Sequence, residues 1–179
     1  MGDYSFSSSL LVSLLLVFLL FIGFSTAMQS KKETHYINQI CHKTQNPSLC
    51  SQILPHSSRR DLKALGQIAI DITQTNVKQT SNLIVSLSRQ TTNPELKNIL
   101  STCAKNYEDA SRNLDVARQS MTSSNIFSVH ARASDAESDL NNCDDEFEGT
   151  PKPSQLQQAS KKVEDLCRII LVICASFGG

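Results

Sequence analysis

Six cysteines, four histidines and a run of seven carboxylates are the groups in this sequence whose type and spacing bear on chemistry. The histidines are His35, His42, His56 and His130, and none stands three or four residues from another histidine or from a cysteine. That spacing is what puts two metal ligands on one helix face, whereas the adjacent pair Cys41-His42 points in different directions. The acids Asp135, Glu137, Asp139, Asp144, Asp145, Glu146 and Glu148 fall in the stretch Ala133–Thr150, which holds no Lys or Arg. Paired carboxylates hydrolyse sugars only when a cleft lies between them, and a chain with few glycines offers little of one. No nucleophile elbow, phosphate loop or calcium loop is present. We therefore expect no catalytic residue, no metal site and no cofactor. The acids read either as a solvated face or as a patch that meets a basic or donor-rich partner.

The cysteines depend on the compartment. Leu10–Phe24 is apolar apart from Ser13, and the small residues Ser25-Thr26-Ala27 follow it. This pattern is expected to be a secretory signal peptide, residues 1–27, cleaved after Ala27. The run is about 15 residues, short of the roughly 20 that span a bilayer. The expected mature chain, residues 28–179, loses one acid (Asp3) and none of the 17 Lys and Arg, so its formal charge is about +1. Near-neutrality argues against a nucleic-acid partner, and no membrane attachment is expected after cleavage.

In an oxidising compartment the cysteines are candidates for bridges. Cys41 and Cys50 flank Asn46-Pro47, and a bridge there would close a tight hairpin worth roughly 3 kcal/mol by chain entropy. Cys103 and Cys143 lie on apolar stripes of successive helices, and a bridge between them would contribute roughly 4 kcal/mol. Cys167 and Cys174 are seven apart on one helix, about 10.5 Å, beyond the roughly 7 Å a disulfide tolerates. Both are expected to be free thiols, half-buried beside the core. Several other pairings stay open at this stage.

The elements that position these groups are helices. Apolar residues recur at alternating steps of four and three through Leu96, Leu100, Cys103, Tyr107, Ala110, Leu114, Ala117 and Met121. The same rhythm runs through Ile126, Val129, Ala133, Ala136, Leu140, Cys143 and Phe147, and again through Leu156, Ala159, Val163, Leu166, Ile170, Ile173 and Phe177. Such narrow stripes belong to bundle helices. Asp61–Gln90 carries a weaker stripe (Leu62, Leu65, Ala69, Ile72, Leu83, Leu87), and its polar middle, Thr73–Asn82, implies a solvated centre or polar neighbours. Asn93-Pro94-Glu95 is a helix start. Ser154-Gln155-Leu156-Gln157 matches a capping box, and Ser123 and Ser124 stand where another cap is needed. Short linkers make successive helices antiparallel. The fold class is all-α: an up-down-up-down four-helix bundle, residues 58–179, with an N-terminal arm at 28–57.

The run Ile40-Cys41-His42-Lys43-Thr44-Gln45-Asn46-Pro47-Ser48-Leu49-Cys50 resembles the opening of the plant invertase/pectin methylesterase inhibitor family. Cys103-Ala104-Lys105-Asn106-Tyr107-Glu108-Asp109-Ala110, Asn142-Cys143-Asp144-Asp145-Glu146-Phe147-Glu148-Gly149 and Val163-Glu164-Asp165-Leu166-Cys167 extend the likeness. It implies an antiparallel bundle with a helical-hairpin arm, bridges Cys41–Cys50 and Cys103–Cys143, and a free Cys167; Cys174 is extra. It also implies a secreted, apoplastic inhibitor that performs no catalysis.

Two target enzymes are possible within the family. Invertase inhibitors carry Pro-Lys-Phe where this chain has Asn125-Ile126-Phe127, so pectin methylesterase is the expected target, with acid invertase the alternative. In the esterase branch the resemblance implies a 1:1 complex that covers the pectin-binding cleft. It points to Asp109, Asn142 and Asp145 as contacts. Lys105 and Arg112 stand where related inhibitors often present acids, and these reversals would weaken binding or change the isoform recognised. A lipid carrier is disfavoured because bundle seams leave no large apolar cavity; a helical extracellular signal would look similar at this level.

Overall fold

The computed structural model of the protein describes residues 37–54 and 61–178. The expected signal peptide, residues 1–27, and the arm–bundle junction near residue 57 lie outside the described residues. Within them, α1 covers residues 37–41, and the remaining helices are α2 Pro47–Ile53, α3 Leu62–Gln90, α4 Pro94–Thr122, α5 Ile126–Asp145 and α6 Ser154–Ala175, followed by a 3-10 turn at Ser176–Gly178.

Most starts are chemically marked. Asn46, Asp61, Asn93 and Asn125 each accept a backbone N–H of the following first turn with their side-chain oxygen, and Pro47 and Pro94 occupy first-turn positions that need no donor. Two expected caps are corrected. The cap of α5 is Asn125, while Ser123 closes the C-terminus of α4 and Ser124 takes φ 60° in the turn between them. Helix α6 is preceded by Pro153 and has no side-chain cap at all. The proline fixes the entry direction, so Ser154 lies inside the helix rather than before it.

Helices α3 to α6 close a ring in which each packs on the next and α6 returns to α3, with α2 set against α6 and α3. The directions alternate. Lys63 at the start of α3 donates to the Thr122 carbonyl at the end of α4 (2.6 Å), and Thr150 beyond α5 reaches Glu95 at the start of α4 (3.4 Å). The core is filled by the expected stripes: Leu100, Tyr107, Leu114, Met121, Leu140, Leu156, Leu166 and Ile170 are fully buried, each worth about 1.5–3 kcal/mol of removed apolar surface. At one end the Met121 methyl packs into the space over Gly66 that a Cβ would take.

Helix α3 departs from its expected stripe. Leu62, Ile72, Leu83 and Leu87 are only partly buried, whereas Ile70, Thr73, Gln74, Val77, Thr80 and Ile84 are buried. Thr73 and Thr80 donate their hydroxyls to the carbonyls of Ala69 and Asn76, four residues back (2.7 and 2.9 Å). With its hydroxyl satisfied inside the helix, a threonine can turn its methyl to the core. Gln74 reaches across to Ser111 Oγ (2.8 Å) and Asp115 (3.2 Å) on α4. The polar centre of α3 therefore has two faces: Thr73, Gln74 and Thr80 are buried against the bundle, while Thr75, Lys78, Gln79 and Asn82 face water.

Candidate protein-binding face

The outward surface of α4 and α5 is built on a rigid seam. Cys103 and Cys143 are bridged, with Cα atoms 4.6 Å apart. Asn113 donates to Asp139 (2.9 Å), Arg132 reaches Asn113 (3.3 Å), and the Ser120 and Ser128 hydroxyls meet at 2.8 Å. These ties set the register of the two helices.

On that seam, Lys105, Asp109 and Arg112 stand at i, i+4 and i+7 and form one line along α4. Lys105 and Arg112 are exposed and Asp109 is partly so. Asn142 and Asp145 are exposed on the last turns of α5. The structure thus brings the five sequence-derived candidates to one side of the bundle.

Their electrostatics differ from a simple reading of charge. Arg112 pairs with Glu108 (2.6 Å) and with Asp109 on its own helix, so it neutralises neighbours instead of standing as a free cation. Lys105 has no ion pair among the described residues.

The acidic run divides in the same way. Glu137 turns to α6 and pairs with Arg168 (2.7 Å), Asp144 pairs with Lys152, and Asp135 pairs with Arg132 (3.1 Å). Burial pushes the Asp139 carboxyl above its ordinary range; the Asn113 hydrogen bond opposes this and the nearby Asp109 and Asp135 add to it. Asp145, Glu146 and Glu148 are left exposed and without an ion pair among the described residues.

Behind this end lies a buried polar network. The Tyr107 hydroxyl donates to Ser160 Oγ (3.0 Å), and Lys152 Nζ donates to the same oxygen (2.9 Å) while pairing with Asp144. Lys152 also sits 5.6 Å above the Phe147 ring, a cation–π contact. Burial drives the Tyr107 phenol far above its ordinary pKa, which suits a structural donor. The network pins the linker after α5 to α4 and α6.

The arm carries the second bridge, Cys41–Cys50, with Cα atoms 5.4 Å apart. Cys167 and Cys174 are free. Both are buried rather than half-buried, because α6 is enclosed by the arm and by its neighbours on both sides. Burial raises the Cys174 thiol to about 11 and the Cys167 thiol further. Neither is a ready nucleophile.

Among the described residues no three His, Cys, Asp or Glu side chains come together as a metal site, and no described helix is long and apolar enough to cross a membrane. The furrow between α3 and α4 (about 350 Å³, floored by Val77 and Tyr107) and the one between the arm and α6 (about 410 Å³, lined by Asn46 and Asp165) both open to solvent.

The family model described as plant invertase/pectin methylesterase inhibitor matches residues 35–173. The chain belongs to that family. Among family relatives, it is 50% identical to a pectinesterase inhibitor of Actinidia deliciosa over 171 residues, covering 93% of this chain and 92% of that one. It is 31% identical to pectinesterase inhibitor 1 of Arabidopsis thaliana over 160 residues, 88% and 89% of the two chains. The fold matches the crystal structure of a mutant form of an Arabidopsis pectin methylesterase inhibitor with TM-score 0.71 at 29% identity, over 78% of this chain and 95% of that one.

Sequence reasoning missed two features of the inhibitor-family face: the internal pairing of Arg112, and the exposed apolar residues Val116 and Phe127. The i−3 and i−4 acids before Arg112 were a readable sign of the first. Val116 and Phe127 were readable as apolar residues off the core stripes.

Proposed function

We propose that this protein is a secreted inhibitor of pectin methylesterase that performs no catalysis and acts by covering the enzyme's pectin-binding cleft in a 1:1 complex. Residues 1–27 are the signal peptide in this reading, residues 28–179 the inhibitor domain, and the apoplast the site of action. The observation that carries it is a stiff, bridged α4/α5 surface that presents Asp109, Asn142 and Asp145 outward without an enclosed cleft of its own. Pre-organised helices lose little entropy on docking, so polar contacts along them translate into affinity. Unpaired acids at the α5 end steer toward donors or cations on the enzyme. Lys105 and the neutralised Arg112–Asp109 pair set which isoform accepts the face. The relatives above are named as inhibitors of pectinesterase, which favours the esterase over acid invertase.

The test is methanol release by a panel of plant pectin methylesterases titrated with the secreted, oxidised protein, with acid invertase alongside. Saturable inhibition at one inhibitor per enzyme supports the reading. Unchanged methanol release across the panel sinks it, and inhibition of invertase alone transfers the function to the other enzyme.

A further inference from the structure

Three large apolar side chains are exposed among the described residues: Val85 on α3, Val116 on α4 and Phe127 on α5. Scattered single apolar residues are ordinary on a surface. Phe127 differs in degree and in setting. It is 86% exposed, so nearly the whole ring faces water. Its backbone is also held fixed. Asn125 caps the turn it belongs to (3.1 Å to the Ser128 N–H), and Ser128 next to it is tied to Ser120 of α4. Lys63 of α3 clamps the preceding loop through the Thr122 carbonyl and Ser124 Oγ (2.6 and 3.0 Å).

We propose that Phe127, supported by Val116, is the apolar anchor of the inhibitor on its target esterase; the proposal rests on the esterase reading. Phe127, Ser134, Ser138 and Asp145 follow one outward line of α5 at steps of seven, four and seven. By helix rise the ring lies about 27 Å from Asp145. Val116 is one turn beyond Ser120 on α4, at the end of the seam where Phe127 stands, and continues the Lys105–Asp109–Arg112 line by four residues.

The face therefore carries an exposed ring and a valine at one end, and at the other the exposed acids Asp145, Glu146 and Glu148 with Lys105 beside them, and it is two helices wide. That is the extent of a standard interface of about 800 Å² per partner. An aromatic ring has only two side-chain torsions to immobilise, and on a fixed turn it docks at small entropic cost. The occupant that fits has an apolar recess or aromatic ledge at one end and cations or donors at the other. A second copy of this chain fits poorly: antiparallel pairing of like faces sets the ring against acids, and parallel pairing sets acids against acids.

The experiment measures Kd by calorimetry against the esterase that the wild-type protein inhibits best, using Phe127→Ala, Val116→Ser and Val85→Ser, each with a thermal melt and sedimentation. We expect Phe127→Ala to weaken binding about tenfold or more and Val116→Ser about threefold, the scale of an interface anchor and its flank. Val85→Ser on the α3 side and all three melting temperatures should be unchanged. Wild-type binding with Phe127→Ala within about twofold of it would remove Phe127 from the interface while leaving the inhibitor reading intact. Wild type that binds no esterase overturns both. A wild-type dimer dissolved by Phe127→Ala would assign the ring to a second copy and also overturn the proposal.

Discussion

Cys41–Cys50 spans nine residues of the arm, and Cys103–Cys143 spans forty and joins α4 to α5. The arm bridge closes a hairpin whose further attachment is a small apolar patch (Ile37, Ile40, Leu54) and two polar ties to α6. In those ties Arg168 donates to Gln45 (2.5 Å) and Asn46 donates to Asp165 (3.0 Å). Asn46 uses both ends of its amide, capping α2 with its oxygen and holding α6 with its nitrogen. The bundle bridge instead reinforces a seam already packed by Tyr107, Ala110, Val129, Ala133 and Leu140. One bridge makes a unit and the other stiffens one. The arm should therefore open by itself, while the bundle should unfold as a whole.

Joint Cys103→Ala and Cys143→Ala replacement should lower global stability by about 4 kcal/mol in denaturant unfolding, since a forty-residue loop regains its entropy. A loss no greater than that of the arm pair would mean the seam, not the bridge, carries the rigidity. Joint Cys41→Ala and Cys50→Ala replacement is worth about 3 kcal/mol by the same reasoning. It should show as roughly hundredfold faster amide exchange confined to residues 37–54, with the bundle transition nearly in place.

Arg168→Gln sharpens the contrast at smaller scale. It removes the tie to Gln45 together with the Glu137 pair, about 1.5 kcal/mol for charge-assisted bonds. The arm amides should lose protection about tenfold without a matching loss in α4.

Acid provides the smallest effect, and its sign separates the two regions. Burial pushes Asp165 up, but hydrogen bonds from Lys161 and Asn46 and the charges of Lys161 and Arg168 outweigh it and hold the carboxyl below its ordinary value. Such a group stabilises above the unfolded pKa and loses that contribution as pH falls through the folded one. Arm attachment should stay level from about pH 7 to 5 and weaken only below about pH 4. Asp139, raised chiefly by burial, has the opposite sign: stability declines as pH rises from the ordinary carboxylate range through its elevated folded value. Asp139→Asn should flatten that decline and raise the neutral-pH urea midpoint slightly. A lower midpoint at neutral pH would show that its charge is needed by Asn113.

Much of the bundle was legible because three helices bury one narrow stripe each, and apolar spacing survives in sequence. Tyr107, Leu140 and Leu166 lie where their periodicity put them. The α3 stripe was legible only in part, since Thr73 and Thr80 read as polar until their hydroxyls are seen to bond within the helix. Ser154 and Ser124 show the limit of cap reading: several residues near a boundary can cap, and the path of the linker selects among them.

Local chemistry in the sequence by itself determined the helices, their order, the turn at Asn46-Pro47 and the impossibility of a Cys167–Cys174 bridge. Those follow from short-range rise, period and capping. The tertiary structure alone decided that Glu137 and Asp144 turn away from the α4/α5 face, that both free thiols are buried, and that Phe127 is not. Each depends on which neighbour occupies the space beside a side chain, and that is fixed by how four helices rotate about their axes when they pack.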